Sequence, residues 1–562
     1  MKLAVHIGGR LAAEMLRRQN QAGLPAVTVE MSSGTIAGTA NILRQQGRDV
    51  FVTVGTPIRP VDPSRIVDVR LAEENLPSQD GAFASIYWNE AERKLVVVTD
   101  FLGLKPLYLL KRPGELLLAS ETKAWEAKPD PAGWGAFISF GHTIGDRTLL
   151  CGVERVHPGT ILVYDASSDS LTERCYWHWP MPKSGADLGG LVDTLEDSVR
   201  EYAKYGEPGE LLLSGGFDSR LILCLLKAAD IPASVLIVEH PDELMDADGR
   251  FASAMARRLN YPLRRVRSSR NFFSSSAYID YLVASDAATP SLYLFISQLA
   301  QFIRPPSVWE GLIQGPTLKT PHQPPGGFDS FLRQECRSSD STAWNNAREI
   351  FSRKFCDMMM EGFQAELRRE IGRYSDDGYG VSEFVIRNRS RNRTAISPLK
   401  VYEGANRVFL PGMTRDYFDI AGSISFDIRR NNAMYLELFQ RFFPAALSIP
   451  IVSGGVLVKP SVWSGSYYVN KTTAAICRFV VNYPNVFRRL GYDPIAATFE
   501  PSRFLDLTLL LDEDDPYIDS DHLRELAHQG ILSQNAFKLL FHWRAWHWVH
   551  RGILKERLSP RI

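Results

Sequence analysis

The stretch at positions 211–220 places the tightest constraint on how this chain can fold. An apolar run at 211–213 stops at Ser-Gly-Gly (214–216), and apolar residues then recur at helical spacing from Leu221. This pattern predicts a strand, a tight turn and a helix. Glycines let a backbone approach a ligand closely, and turn amides at a helix N-terminus attract anions. The segment therefore indicates a phosphate-binding turn; the alternative is a Gly-rich turn without a ligand.

The order Ser-Gly-Gly-x-Asp-Ser at positions 214–219 resembles the pyrophosphate loop of the ATP-pyrophosphatase group. Those enzymes split ATP into AMP and pyrophosphate while they adenylate a substrate. The pattern is not a Walker loop, which needs Gly-Lys-Ser/Thr after a longer spacer. The resemblance implies ATP and Mg²⁺ as cofactors, with Asp218 as the metal ligand. The residues expected at the nucleotide are Leu213, Ser214, Gly215, Gly216, Phe217, Asp218, Ser219, Val238 and Gly311.

Composition narrows the possible functions. A chain of 562 residues predicts two or more domains. Lys+Arg and Asp+Glu both number 64, so nothing in the charge balance favours nucleic acid or an anionic membrane as a partner. Six cysteines without a C-x-x-C pair argue against zinc sites and disulfides and fit a reducing cytosol. Because no apolar run approaches about 18 residues, we expect a soluble cytoplasmic protein without membrane insertion.

Two domains are predicted, at 1–183 and 188–562. The first is a mostly antiparallel layered domain, because short strand-like runs alternate with turn residues. The clearest runs are at 51–54, 82–88, 95–99, 107–110, 116–119 and 160–163. A Trp- and Pro-containing segment at 179–185 is the expected linker.

The second domain begins with helical periodicity near Leu188 and then alternates strand and helix from 210 to 310. This alternation predicts a parallel sheet with helices on both faces, and ligands of such sheets bind at the carboxyl ends of the strands. The Pro/Gly/Ser-rich stretch at 320–345 is expected to be a loop. The remainder is predicted to be largely helical, and it ends in an aromatic stretch at 537–549 that we expect to be core or a docking face.

Motifs in the first domain extend the resemblance. Gly-Ala-Phe-Ala (81–84), Asp-Phe-Leu-Gly-Leu-Lys-Pro-Leu-Tyr (100–108), Ala-Ser-Glu-Thr-Lys (119–123) and Val-Glu-Arg-Val-His-Pro-Gly (153–159) follow one another. Together they resemble the glutaminase domain of asparagine synthetase-like proteins, which join this domain to a pyrophosphate-loop domain in the same order. The implied fold class is α/β. It comprises a degenerate N-terminal-nucleophile, class II glutaminase-like α+β domain, then an ATP-pyrophosphatase domain with a parallel sheet and a largely helical C-terminal part.

The first departure from the family lies at the N-terminus. Working glutaminases of this type expose a cysteine as residue 2, whereas this chain has Lys2 and no cysteine before Cys151. This predicts that the chain does not hydrolyse glutamine. The same loss occurs in two relatives that use an amine already on the substrate, the β-lactam synthetases and the cyclases that close lasso peptides.

The second departure lies at 309–317, where the family carries an acidic motif whose Asp is a second Mg²⁺ ligand. This chain has Gln314, Gly315 and Pro316 instead. Three readings remain open. Glu310 takes over as a ligand, the metal is held by Asp218 and phosphates alone, or the site is degenerate.

The resemblance also implies a base and a cation for amide formation. The family acid would fall near Ala405, and the nearest carboxylate is Glu403, which with Tyr402 would deprotonate an attacking amine; the alternative is a surface carboxylate. The family lysine is assigned to Lys459, with Lys471 and Lys400 as competitors. A further acid, Asp248, is expected either as a helix-start acid or as a residue lining the nucleotide site.

These expectations define an ATP-dependent amide-forming ligase without glutaminase activity. The favoured interpretation, which rests on the resemblance, is a lasso peptide macrolactam cyclase. It would act on a peptide or small-molecule carboxylate beside a leader peptidase and a leader-binding protein. The first alternative is a β-lactam synthetase-like or ammonia-dependent asparagine synthetase-like enzyme. The other is a non-catalytic homologue that binds a partner.

Overall fold

The computed structural model describes residues 1–562 except 20–24, 40–41, 184, 241–245, 270, 290–297, 320–326, 405, 454–455, 459–471, 473–500, 504 and 559–562. Within the described residues, no helix is both long and apolar enough to cross a membrane. Three main sheets organise the chain: two antiparallel sheets formed before residue 176 and a parallel sheet formed after residue 208.

The two N-terminal sheets each have six antiparallel strands and confirm the predicted strand runs. The first has the order Glu154–Arg155, Tyr108–Arg112, Glu115–Ala119, Leu3–Ile7, Gly34–Thr39, Ala26–Met31. The second has the order Ser170–Cys175, Thr160–Asp165, Lys94–Thr99, Gly81–Asn89, Asp49–Pro57, Leu43–Gln46. Alternate apolar side chains such as Val5, Val52 and Ile86 form one buried cluster between the sheets.

In the described part of this region, the sheets are accompanied by the α-helices Ala12–Gln19, Val69–Asn75 and Pro131–Phe140. Capping residues fix both ends of helix Pro131–Phe140. Asp130 caps it by accepting a hydrogen bond from the Gly133 amide at 2.7 Å, Pro131 occupies its first position, and Gly141 ends it with φ 77°.

The parallel sheet confirms the predicted strand–helix alternation. Its order is Leu263–Arg267, Ala233–Glu239, Gly209–Leu212, Ser307–Trp309, Arg407–Phe409. Helices Leu188–Ala203, Phe217–Ala228 and Ala247–Arg258 surround it. The strand order reverses between Gly209–Leu212 and Ser307–Trp309, and such switch points open a crevice at the carboxyl ends of the strands. The turn after residue 212 lies at this crevice.

The C-terminal part is mainly helical, as predicted. Its α-helices are Ser276–Ala284, Gln314–Leu318, Gly327–Glu335, Thr342–Ile350, Arg353–Ile371, Gly378–Val385, Arg415–Ala421, Phe426–Arg429, Ala433–Phe442, Leu507–Leu510, Ser520–His528, Gln534–Arg551 and Leu554–Leu558. Wider π-helical turns occupy Ile386–Thr394 and Ser397–Val401. The aromatic stretch lies in Gln534–Arg551, where Trp543, Trp546 and Trp548 are buried, so it belongs to the core.

The loop predicted at 320–345 is wrong over much of its length. Gly327–Glu335 is a helix, and Thr342–Ile350 begins before the stretch ends. Phe328 and Phe331 are one turn apart and both pack on Phe384, with ring centroids 5.5 and 5.6 Å away. Burial of these two rings outweighs the loop-like composition around them.

Candidate functional site

The Ser-Gly-Gly turn lies where the sheet topology expects a ligand. Leu213 continues the strand and its amide donates to Leu236 O at 3.0 Å, after which the chain turns into helix Phe217–Ala228. Val238, predicted to contact the nucleotide, lies at the carboxyl end of the neighbouring strand. The two backbone positions therefore border the same crevice.

Two serines fix the shape of the turn. The Ser219 hydroxyl accepts from the Ser214 amide at 3.0 Å and lies 3.0 Å from the Ser214 hydroxyl. The Gly216 amide donates to the Ser214 hydroxyl at 3.2 Å. Gly216 is also the N-cap of the helix and has no side chain to cap it. The first amides of the helix thus lack a side-chain acceptor, which is the arrangement that binds anions.

The turn is packed between two other segments. A Cβ added to Gly215 would lie 3.1 Å from Asp248 O and from Asp248 Oδ1. The Gly215 amide hydrogen-bonds the Asp248 carboxylate, whose pKa is raised by burial. On the other side, the Val452 amide donates to Gly215 O at 3.0 Å. The predicted acid Asp248 therefore lies against the loop itself.

Arg220 is a buried cation beneath the turn that the sequence analysis did not single out. Its guanidinium donates to Ala446 O at 2.7 Å, Ile449 O at 2.8 Å and Pro450 O at 2.8 Å. Burial lowers its pKa to about 10, so the group stays charged at neutral pH. It anchors the 446–450 segment and adds positive potential under the loop. A charged residue within the apolar run of the helix was the available signal.

Asp218, the predicted Mg²⁺ ligand, lies in the first turn of the helix with its side chain 32% exposed. Its Oδ1 accepts from the Tyr435 hydroxyl at 2.5 Å, and its Oδ2 is 2.8 Å from Lys319 Nζ. A Cβ added to Gly311 would lie 3.1 Å from the Asp218 Cβ, and one added to Gly315 would lie 3.1 Å from its Oδ2. Sequence reasoning missed Lys319 and Tyr435, because both come from distant parts of the chain.

A tight turn delivers these glycines to Asp218. Helix Gln314–Leu318 begins after Ile313, which has φ 86° although it is β-branched and fully buried. Such a backbone costs on the order of 1–3 kcal/mol and persists only where the surroundings enforce it. The strain accompanies the close approach of Gly311 and Gly315 to Asp218, in the first turn of the helix that follows the Ser-Gly-Gly turn.

Glu310 supplies a second carboxylate at Asp218. Burial raises its pKa to about 7, and the Asp218 charge adds to the rise, while a hydrogen bond from the Gly311 amide opposes it. The Glu310 charge in turn helps to raise the pKa of Tyr402. Two carboxylates that repel each other fit a divalent cation between them. Asp218 and Glu310 would hold Mg²⁺, which commonly uses one or two protein carboxylates plus phosphates.

No cluster of three or more metal-ligating side chains occurs in the part of the chain that the structure describes. A Mg²⁺ ion here would therefore need phosphate oxygens or water to complete its ligands. Among the open readings of the 309–317 departure, the use of Glu310 as a second ligand stays a prediction; its charge interacts with that of Asp218, and the adjacent Gly311 packs against Asp218.

Tyr402 and Glu403, which were predicted to act together as the general base, lie in different surroundings. Tyr402 is buried and interacts with Glu310 as described above, whereas Glu403 is buried and forms an ion pair with Lys105 of the N-terminal region. Their role in amide formation stays a prediction. Lys459 and its alternative Lys471 lie outside the described residues.

A second charged cluster surrounds Lys2, the position of the family's cysteine. Its ammonium pairs with Glu121, which also pairs with Lys123. Asp286 joins Lys123 at 2.8 Å and also pairs with Lys400, the third candidate for the family lysine. All five side chains are nearly or fully buried. Burial lowers the pKa of Lys2 well below its usual value, and the neighbouring Lys123 lowers it further.

The amino-acid sequence of this chain is similar to those of several known proteins. A family described as "Glutamine amidotransferase domain" matches residues 69–177. Amidase chry2 of Gibberella zeae is 29% identical over 149 residues, 25% of this chain and 22% of that protein. The glutamine-hydrolyzing asparagine synthetase 1 of Bacillus subtilis is 27% identical over 164 residues, 28% of this chain and 26% of that protein.

A third relative is the carboxyethyl-arginine beta-lactam-synthase of Streptomyces clavuligerus, 26% identical over 155 residues, 27% of this chain and 29% of that protein. Each similarity thus spans less than a third of the relative's own length. Together they confirm the resemblance of this chain to the asparagine synthetase-like family.

Proposed function

We propose that this protein is an ATP-dependent amide-forming ligase that adenylates a carboxylate and releases pyrophosphate. The observation that carries the proposal is the pyrophosphate loop at the topological switch point, with Asp218 and Glu310 together beside it. The asparagine synthetase and beta-lactam-synthase relatives support the same class of reaction.

The chain's own residues account for binding of the nucleotide. The uncapped amides at the start of helix Phe217–Ala228 would bind the phosphates, and the buried Arg220 charge would strengthen their attraction. Asp218 and Glu310 would hold Mg²⁺, which when bound would neutralise charge on the departing pyrophosphate. Lys319, now on Asp218, is close enough to contribute a further positive charge at the same place.

The amine would come from the substrate itself. Lys2 occupies the position of the family's nucleophile and is buried in an ion pair with Glu121, so no thiol is available there for glutamine hydrolysis. The finer proposal is a peptide substrate closed to a macrolactam, as in lasso peptides, with a leader peptidase and a leader-binding protein as partners. A small-molecule lactam is the alternative, supported by the beta-lactam-synthase relative.

The test is ATP–pyrophosphate exchange and AMP release by the full chain, with and without candidate precursor peptides. Substrate-dependent exchange that is lost in Asp218→Ala and retained in Asp193→Ala is the expected result. Asp193 is an exposed acid on helix Leu188–Ala203 and serves as the matched control. Substrate-dependent exchange that Asp218→Ala does not reduce would contradict the assignment of the loop.

One observation favours a second function. The Lys319 ammonium already neutralises Asp218, as expected of a homologue that no longer binds metal and acts as a partner-binding protein. Absence of ATP·Mg²⁺ binding by calorimetry, together with no exchange, would favour this alternative over the ligase.

A further inference from the structure

A cavity of about 520 Å³ lies away from the pyrophosphate loop. Three helices enclose it: Pro131–Phe140 of the N-terminal region, Thr342–Ile350, and Gln534–Arg551 near the C-terminus. None of the loop residues at 213–219 lines it. Its volume is in the range of pockets that hold small molecules.

The charged side chains of this cavity are all cationic. Arg337, Arg393 and Lys538 line it, and its described lining residues include no Asp or Glu. The Arg337 guanidinium donates to Ile138 O at 2.9 Å, which fixes it at the wall. Among the described residues, no carboxylate lies within ion-pair distance of Lys538. Positive charge in a cavity whose described lining holds no carboxylate raises the local concentration of anions.

The pKa values of two nearby histidines, His142 and His542, are lowered by burial and by the same positive charges. Burial, together with the charges of Arg393, Arg389 and Arg337, lowers the pKa of His142 to about 4. His542, which lines the cavity, has its pKa lowered to about 3 by burial and by Lys538. Both rings are therefore neutral at physiological pH, and the single N–H of His142 already donates from Nδ1 to Thr143 O at 2.8 Å.

A helix start also faces the cavity. Ser341, Thr342 and Ala343 line it at the beginning of helix Thr342–Ile350. The Ser341 side chain does not cap this helix, and its buried hydroxyl has no hydrogen-bond partner within the described part of the chain. The first amides of the helix therefore lack a side-chain acceptor, which adds to the positive potential.

We propose that this cavity is a second binding site, which takes a small anionic ligand bearing carboxylate or phosphate groups. The anionic groups would face Arg337, Arg393 and Lys538, and an apolar part would lie against Phe137 and Leu539. The proposal does not depend on the ligase activity, because none of the pyrophosphate-loop residues contributes to the cavity.

The test measures binding of two probe anions, citrate and inorganic phosphate, to the full chain by calorimetry at low ionic strength. At least one probe should bind, and Lys538→Gln should weaken that binding about tenfold, the effect of losing one charge-assisted contact. Lys538→Arg should retain binding. Lys354→Gln, a change at an exposed lysine on helix Arg353–Ile371, should have no effect. The Asp218→Ala variant should bind equally well.

The two probes distinguish a carboxylate ligand from a phosphate ligand. The proposal is overturned if neither anion binds, if Lys538→Gln binds as tightly as the unaltered chain, or if Asp218→Ala abolishes binding. A second measurement does not depend on a folded variant. Acetylation of Lys538, followed by mass spectrometry, should slow in the presence of the bound anion while acetylation of Lys354 does not. Equal labelling of Lys538 with and without saturating citrate and phosphate would also overturn it.

Discussion

The cluster around Asp286 and the Ser-Gly-Gly turn both contain charged groups, but the charges are paired with one another only in the first. In the first, three ammonium groups and two carboxylates satisfy one another in the interior, and Asp286 also accepts from the Thr122 amide at 2.7 Å. In the second, the first helix amides lack a cap and the Asp218 side chain is 32% exposed.

The comparison separates a structural network from a binding site. Buried charges that pair with one another have nothing left to offer a ligand, and they hold segments distant in sequence together. Uncapped amides and two neighbouring carboxylates instead need an anion and a cation from outside. Lys2 therefore belongs to a paired internal network, whereas the first amides of helix Phe217–Ala228 lack a side-chain acceptor.

The largest effect is expected at Asp286. Asp286→Ala would leave Lys400 buried without its carboxylate partner and Lys123 paired with Glu121 alone, and it should lower the free energy of unfolding by about 3–5 kcal/mol. Urea denaturation measures this change. The control Asp280→Ala, at an exposed acid paired with Lys555, should change it by less than about 0.5 kcal/mol. Equal effects at the two positions would remove the contrast between the two clusters.

The pH dependence of stability tests the carboxylate pair. Because Glu310 has a folded-state pKa of about 7 against an ordinary 4.5, the folded protein binds more protons between these values. Stability should therefore fall as pH rises through this window, by up to about 3 kcal/mol. Glu310→Gln should lack this fall when urea unfolding is compared at about pH 5 and about pH 7.5 without Mg²⁺. Identical profiles would show that burial and the Asp218 charge do not keep Glu310 protonated in the folded protein.

A smaller effect is expected from crowding the loop. Gly311→Ala would place a Cβ 3.0 Å from the Asp218 carbonyl carbon and should cost about 1–3 kcal/mol of stability. In Gly189→Ala the nearest atom lies at an ordinary 3.6 Å, so this variant in the first turn of a helix should be neutral or stabilising. Thermal unfolding of the pair measures the difference, and a tolerated Gly311→Ala would mean that the approach to Asp218 is looser.

The smallest effect concerns the cation on Asp218. Lys319→Met removes an ammonium that competes for Oδ2 and should tighten binding of Mn²⁺, used as a probe for Mg²⁺, by about threefold. Electron paramagnetic resonance of free Mn²⁺ measures the change in the absence of nucleotide. Lys227→Met, at an exposed lysine on the same helix as Asp218, should leave it unaltered. Weaker Mn²⁺ binding in Lys319→Met would show that the lysine supports the site.

The sequence predicted local structure well where one physical signal prevailed. Alternating apolar runs gave the antiparallel strands, and the strand–turn–helix at 209–228 followed from an apolar run broken by glycines. It failed at Gly327–Glu335, where two aromatic side chains bury against Phe384 in a segment of loop-like composition. A window of sequence cannot show which distant surface will cover it.

Some residues of the candidate site were likewise predictable from the sequence, and others were not. Ser214, Gly216 and Asp218 were identifiable because their chemistry depends on adjacent positions in one turn. Lys319 and Tyr435 reach Asp218 from 101 and 217 residues away, and no spacing rule predicts such an approach.

The sequence by itself determined the Ser-Gly-Gly turn and the class of sheet. Only the tertiary structure decided that Glu310 stands beside Asp218, that Glu403 is paired with Lys105 and that Lys2 belongs to a buried network. The physical reason is the separation along the chain of the residues that interact. Turn and helix geometry are fixed by neighbours along the chain, whereas the electrostatic energy of a charge depends on burial and on partners that packing brings together.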